Sequence, residues 1–512
     1  MSSSENPDTV FSLEGLNQQL GLLASSVPNS PGNEAALAPI IAGSVLRDLQ
    51  GCQSTADETT SEAPPQLQYG LLAASSAGIQ WIKENLGDKE KISLDQDPRL
   101  FFNITPPSST FICGSQGSGK SHTLSCMLEA CLIASEKLGN LSNPLAGVVF
   151  HYDTFTSDVK GQPCEAAYLA SNEDIEVRVL CAPTNVASIK RTYAGLNVTI
   201  EALRIDQNQF NTKRMMDLMA VSGDDTPLYM ESIKRILREM RIIQQTKQAT
   251  GFNYRDFKRR VDNCGLTPSQ MGPLTQRLDA LESFMPASQT STFSQKSARG
   301  TDWYPVPGRL TIVDLSCPCI SPATACALFN ICLAISLESG PDEETRVGRV
   351  VALDEAHKYM TDTPEAAVFT ETILHTVRLQ RHLGARIMVA TQEPSVSQSL
   401  LDLCSLTIVH RFTSPAWLKV LKGHLAAAQE NHRVSSPTAK GSGTDEAALF
   451  ERIVRLKVGE ALMFAPTAIV GVRRNSGGDQ QGVEFARLEG DCMSITVRNR
   501  LTQDGGKSIL SV

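Results

Sequence analysis

Apolar positions change their rhythm several times along this chain. Residues 1–65 carry few of them among Ser, Gly, Pro, Asn and acidic residues. So polar a stretch cannot bury enough surface to offset its ordering entropy, so it is expected to be disordered. Two segments within it, residues 10–23 and 34–49, could become helical on a partner. Residues 67–86 read as a helix anchored by Trp81, and residues 97–107, bounded by prolines, read as an extended lead-in. Short apolar runs then alternate with helical patterns. Strands are expected at 109–113, 147–152, 175–180, 309–315, 349–353, 385–390 and 405–412, and helices at 122–133, 323–337 and 370–382. Runs that are apolar on both faces fit a parallel sheet covered on both sides.

A long polar and helical stretch, residues 193–284, interrupts this alternation. Within 229–243, Ile233, Ile236, Leu237, Met240 and Ile243 form one face, and Lys234, Arg235, Arg238 and Arg241 occupy the rest. Residues 274–284 repeat a helical pattern, and 286–300 read as an exposed Ser/Thr-rich loop. After residue 473 the pattern weakens. Residues 494–500 alternate like a strand with Arg498 and Arg500 on one face, which suits an edge strand or a tail bracing a neighbouring subunit. The expected organisation is a disordered segment (1–65), a first half of an α/β core with a leading helix (66–192), a mostly helical insertion (193–300), a second half of the core (301–475) and a tail (476–512).

The chemistry is concentrated at strand ends. Gly114-Ser115-Gln116-Gly117-Ser118-Gly119-Lys120-Ser121 follows the strand at 109–113 and precedes the helix that starts near His122. This is G-x-x-x-x-G-K-S, the phosphate-binding P-loop. Glycines let successive backbone N–H groups converge, and with the helix N-terminus they form a nest for phosphate oxygens, reaching as far as His122. Lys120 supplies a mobile cation for the β- and γ-phosphates, and Ser121 a hydroxyl for Mg²⁺. The expected fold class is therefore a P-loop NTPase: a mainly parallel central sheet flanked by helices, plus the helical insertion.

Val350-Val351-Ala352-Leu353-Asp354-Glu355 places two carboxylates after four apolar residues, the Walker B pattern. The C-terminal tip of a buried parallel strand is where such sheets bind ligands. Asp354 there can hold Mg²⁺, and Glu355 can orient and deprotonate an attacking water. The strand at 385–390 ends at Thr391-Gln392-Glu393-Pro394, so Gln392 is placed to sense the γ-phosphate or hold the lytic water. Arg378, Arg381 and Arg386 lie upstream. A guanidinium can neutralise charge building on a transferring phosphoryl group, and Arg381 is the candidate finger, acting across a subunit interface.

Three blocks together resemble the HerA/FtsK superfamily of P-loop ATPases: Gly117-Ser118-Gly119-Lys120-Ser121-His122-Thr123, Leu353-Asp354-Glu355-Ala356-His357-Lys358-Tyr359, and residues 384–394. Residues 312–316 and 457–461 are weaker matches, and the likeness spans about residues 98–470. The resemblance implies that Lys120, Ser121, Asp354, Glu355 and Gln392 serve ATP and Mg²⁺. It also implies a homo-oligomeric ring, commonly hexameric, that moves DNA or another polymer. HerA proteins carry an N-terminal β-barrel, yet the first hundred residues here show no strand-rich pattern. FtsK proteins carry membrane spans and a winged helix, and neither is evident.

Bulk properties narrow the reading. A chain of 512 residues suits two or three domains, or one large domain with insertions. A net charge of −8 argues against a broadly basic nucleic-acid-coating surface, though a ring can gather a few cations in its pore. The 13 cysteines form no C-x-x-C pair, so zinc is not indicated. Cys317-Pro318-Cys319 and the others suit free thiols in a reducing compartment. No apolar run of membrane-spanning length and no secretory signal are present, so no membrane association and an intracellular location, cytoplasmic or nuclear, are expected. Asp354-Glu355-Ala356-His357 also spells the DEAH box of helicases. The interval from the P-loop is far longer than a compact helicase core needs, and no Q-x-x-G-R-x-G-R stretch follows. A nucleotide-dependent switch or scaffold is the alternative to a motor.

Overall fold

The computed structural model describes residues 31–53, 66–85, 96–154, 161–218, 228–247, 251–290, 299–338, 347–424, 444–474 and 483–505. Its spine is a run of eight parallel strands. In spatial order these are β12 (Leu406–Val409), β4 (Ser109–Cys113), β11 (Ala385–Thr391), β10 (Arg349–Leu353), β6 (Ala146–His151), β9 (Arg309–Asp314), β7 (Glu176–Cys181) and β8 (Thr199–Ala202). Strand β8 falls inside the stretch expected to be helical insertion. It extends the sheet because Thr199 to Ala202 pair in register with Arg178 to Cys181.

Alternate residues of these strands feed two separate cores. Phe111, Phe150, Val351 and Leu353 face one side, and Ile112, Val149, Val350 and Ala352 the other. The first side is covered by helices Pro322–Leu337 and Pro364–Arg378 and by the insertion. In the insertion, helix Leu228–Lys247 buries Ile233, Ile236, Leu237 and Met240, while Ile243 at its far turn stays 38% exposed. Under the tip of β10 sits an aromatic cluster: Phe329 lies 5.0 Å from both Phe150 and Tyr359. Each such ring contributes about 1.5–3 kcal/mol on burial, which fixes the strand end carrying Asp354. The second side is covered by helix Lys120–Leu132, which buries Leu124, Met127, Leu128, Cys131 and Leu132.

Beyond β12 the sheet is mostly antiparallel, with one parallel pair (Ile40–Ala42 and Ile469–Arg474), and draws strands from residues 40–103 and 460–497. β13 (Glu460–Phe464) pairs with β12, then β16 (Met493–Val497), β2 (Tyr69–Ser75), β3 (Arg99–Asn103) and β1 (Ile40–Ala42) follow. β14 (Ile469–Arg474) and β15 (Val483–Arg487) close that side, and the two-residue β5 (Gly139–Asn140) pairs with β2.

Three expectations change here. Residues 31–53 are ordered as helix, strand and helix, with Ile40 and Ile41 wholly buried, because β1 pairs with β3 and β14; the expected segment 10–23 lies outside the described residues. Residues 69–75 are a strand followed by helix Ser76–Asn85, and not one helix. Pairing on both sides overrides local propensity, and at Gly70 a Cβ would stand 2.7 Å from the Ala130 Cβ, so β2 lies close on the P-loop helix. Finally, β16 is an interior strand between β13 and β2, and not an edge.

Candidate functional site

The loop after β4 takes a shape that glycine alone accepts. Gly119 has φ 111°, and at Gly114 (φ 154°) a Cβ would lie 2.7 Å from that of His410. Ser115 donates to the Arg411 carbonyl through both its N–H (2.8 Å) and its hydroxyl (2.8 Å). The Ser118 hydroxyl (2.7 Å) and the Lys120 ammonium (3.0 Å) both donate to the Ser115 carbonyl. Gln116 and Gly117 are exposed at the rim, Ser118 and Lys120 are buried, and Ser121 and His122 are half-buried in the first helical turn. The His122 ring is turned away from the loop, with Nε2 2.8 Å from the Arg498 carbonyl. Only its backbone remains available for the anion nest.

One strand, β11, separates the loop strand from the acidic strand, and parallel registers Ile387–Thr391 with Ser109–Cys113 and Arg349–Leu353 with Ala385–Val389 bring all three tips level. The tip residues meet. Burial pulls the Lys120 ammonium below the usual lysine value, and the nearby carboxylates of Glu355 and Asp354 oppose that pull. Gln392 Nε2 donates to Glu355 Oε2 at 3.1 Å. Glu355 itself holds a left-handed backbone, φ 50°, unusual for a residue with a Cβ. His357 Nδ1 stands 3.4 Å from Glu355 Oε2 and also takes the Gln392 N–H at 3.4 Å. Burial lowers the His357 pKa, against the Glu355 charge. Asp354 is 4% exposed and accepts from His151 Nδ1 at 3.0 Å. Burial alone would raise its carboxyl, but the hydrogen bond and charge of His151 outweigh that and hold it below the ordinary value.

The residues fit nucleotide and Mg²⁺ on their own geometry. Asp354 Oδ1 is buried and makes no hydrogen bond, so the carboxylate keeps a free oxygen. The P-loop supplies a nest beside a buried lysine. Arg381 does not join this group within the chain. It is exposed in the turn Gln380–Leu383, before β11 begins, whereas Gln392 follows the end of that strand. Seven residues of strand put about 20 Å between the two ends. Arg386 is also structural: it is buried and donates to the carbonyls of Ile104, Thr105 and Gly384.

Several residues at the site escaped the sequence reading. His410 and Arg411 follow β12, the strand on the other side of the loop strand. His410 Nδ1 is 3.0 Å from the Glu460 carbonyl, so it carries the proton, and Nε2 accepts from the Thr123 hydroxyl at 2.9 Å. Polar residues directly after an apolar run were the available signal. Arg498 and Thr502, from the last described segment, clamp the P-loop helix. Arg498 Nη1 donates to the buried Glu129 carboxylate at 2.6 Å, and the Thr502 hydroxyl to its other oxygen at 2.6 Å. No local pattern announces that contact.

Strand order, glycine loop and following helix define the class: an α/β fold of the expected P-loop NTPase type, in which one strand stands between the loop strand and the acidic strand. No family model and no curated protein matches the sequence. Solved structures similar to the chain include VirB4 of Thermoanaerobacter pseudethanolicus, with 12% identity and TM-score 0.48, covering 84% of this chain and 96% of that one. The plasmid coupling protein TrwB, in complex with a non-hydrolysable GTP analogue, shows 13% identity and TM-score 0.45, covering 88% and 99%. A genome packaging NTPase from Sulfolobus turreted icosahedral virus 2, in complex with ATP-gammaS, shows 10% identity and TM-score 0.27, covering 75% and 97%.

Proposed function

We propose that this chain is an ATPase in which Lys120, Ser121, Asp354, Glu355 and Gln392 form one hydrolytic site, and that it works as a ring-forming, HerA/FtsK-like motor on DNA. The observation that supports the ATPase reading is that Lys120 and the Asp354–Glu355 pair, more than 200 residues apart in sequence, come to level strand tips on either side of β11, near enough for the two carboxylates to act on the buried ammonium. The loop from Gly114 to Ser121 binds phosphate through backbone N–H groups, and Lys120 leaves the Ser115 carbonyl to pair with the β- and γ-oxygens. Ser121 and Asp354 are the residues that would hold Mg²⁺, which when bound neutralises charge on the phosphate oxygens. Glu355 takes the proton of the attacking water while Gln392 fixes the carboxylate by holding Oε2. The polymer and the ring rest on the sequence resemblance, and Arg381, distant in its own chain, acts on the site of a neighbour.

Glu355→Gln tests the core of this. The variant is expected to bind ATP and to lose about 10²–10⁴-fold in turnover. Turnover at the wild-type rate removes Glu355 from the role. DNA-stimulated hydrolysis supports the motor, and equal slow turnover with and without DNA supports the switch reading.

A further inference from the structure

His151, Cys164 and Asp354 come together although nothing in their spacing suggests it. Strands β6 and β10 are paired with Phe150 opposite Leu353, so the next residues, His151 and Asp354, are neighbours at the sheet tip. Cys164 arrives from the turn before the short helix Glu165–Ser171. Its backbone is anchored: the Cys164 N–H donates to the Tyr193 hydroxyl (3.0 Å), which donates to Asp314 Oδ2 (2.6 Å). The three side chains converge on one point. Asp354 Oδ2 is 3.0 Å from His151 Nδ1 and 3.7 Å from Cys164 Sγ, and one ligating atom of each residue lies within 4.8 Å of the others.

Two features separate this group from an ordinary buried hydrogen-bond network. All three residues are at least nine-tenths buried, with exposures of 6%, 0% and 4% in chain order, and the second carboxylate oxygen, Asp354 Oδ1, makes no hydrogen bond. Buried polar atoms without partners are uncommon and costly. The donor set is also specific in kind. Imidazole nitrogen, thiolate sulfur and carboxylate oxygen suit Zn²⁺, whereas Mg²⁺ prefers oxygen alone. Zinc bonds of about 2.0–2.3 Å place neighbouring ligand atoms at separations the observed cluster already approaches.

We infer that His151, Cys164 and Asp354 form a site for one thiophilic divalent cation of the Zn²⁺ class, with no fourth protein ligand among the described residues. Binding replaces the His151–Asp354 hydrogen bond with two metal–ligand bonds. Cys164 Sγ binds as thiolate and His151 through a deprotonated Nδ1, the remaining ring proton staying on Nε2; the thiol proton and the displaced Nδ1 proton pass to solvent. Because Asp354 is shared, Zn²⁺ here withdraws that carboxylate from Mg²⁺ and blocks hydrolysis. This consequence rests on the function proposed above, but metal binding does not. The lack of a C-x-x-C pair gives no indication of this site in the sequence, because the proposed ligands come from two strand tips and a turn.

Co²⁺ added to the full-length, reduced chain tests the inference. The expected result is one Co²⁺ per chain, with thiolate-to-cobalt charge-transfer absorption that Zn²⁺ abolishes and that Cys164→Ser and His151→Gln lack while melting as folded proteins. Should those variants not fold, X-ray absorption at the zinc edge of the wild-type chain decides, and one sulfur with one imidazole is expected. Absence of the thiolate band overturns the site. So does a band that survives in Cys164→Ser, or a zinc shell with two sulfurs, which would point to Cys317 and Cys319. Intact cobalt binding without zinc inhibition of ATP hydrolysis would leave the site standing and remove Asp354 from the Mg²⁺ role.

Discussion

Gln392 Nε2 donates to Glu355 Oε2 across 3.1 Å, joining the tips of adjacent strands β11 and β10. The bond engages one of the two carboxylate oxygens, and the proposed proton transfer would use the other. Gln392→Ala is expected to lower kcat about 10–100-fold with little change in nucleotide KM, because it frees the carboxylate without touching the phosphate nest. Steady-state kinetics read this split. A rise in KM at unchanged kcat would place Gln392 in ground-state binding instead.

Lys120 is buried beside two carboxylates and holds the Ser115 carbonyl. Lys120→Ala removes a charge-assisted hydrogen bond of about 1.5–3 kcal/mol and should weaken ATP binding about 10–100-fold. Equilibrium titration with a fluorescent ATP analogue measures it, and undiminished affinity would contradict the nest assignment.

His410 gives stability a pH dependence. Burial pushes its pKa from 6.5 down to about 4, and the neutral ring bridges Thr123 and the Glu460 carbonyl. Between those values the unfolded chain binds the proton and the folded chain does not. The stabilisation is therefore complete above pH 6.5 and is lost as pH falls toward about 4. Thermal melts of the wild-type chain and of His410→Gln over this range should differ in slope, the variant lacking this contribution.

The last described segment closes a buried carboxylate. Arg498, the Thr502 hydroxyl and the backbone N–H groups of Leu501 and Thr502 all donate to Glu129, which is wholly buried. Arg498→Ala removes the nearer cation and leaves Arg500 Nε 3.9 Å from the carboxylate, so it should cost up to about 3–5 kcal/mol, read by chemical denaturation. A loss under 1 kcal/mol, about the worth of an exposed pair, would mean that the clamp is dispensable.

Arg381 sits at the end of β11 opposite Gln392, so Arg381→Ala should leave the ATP affinity of a single chain unchanged. If it serves a neighbour, mixing inactive Arg381→Ala with inactive Glu355→Gln chains restores part of the hydrolysis. Mixtures that stay inactive argue against action between chains.

The sequence alone determined most of the parallel core and which polar residues stand at its tips. Strands buried on both faces are near-continuous apolar runs, so β4, β6, β9, β10 and β11 were visible as such, and polar residues at the ends of those runs stood out. It could not show the antiparallel half. Residues 494–500 alternate like a strand, but β1, β2 and β3 carry no clear period-two signal, and what pairs with them is set by the fold, as where Ile495 lies beside Ser75. Long-range pairing also decided that Arg498 clamps Glu129 and that His151 and Cys164 reach Asp354. Periodicity reports which face a residue presents. Only the folded chain reports what stands opposite that face.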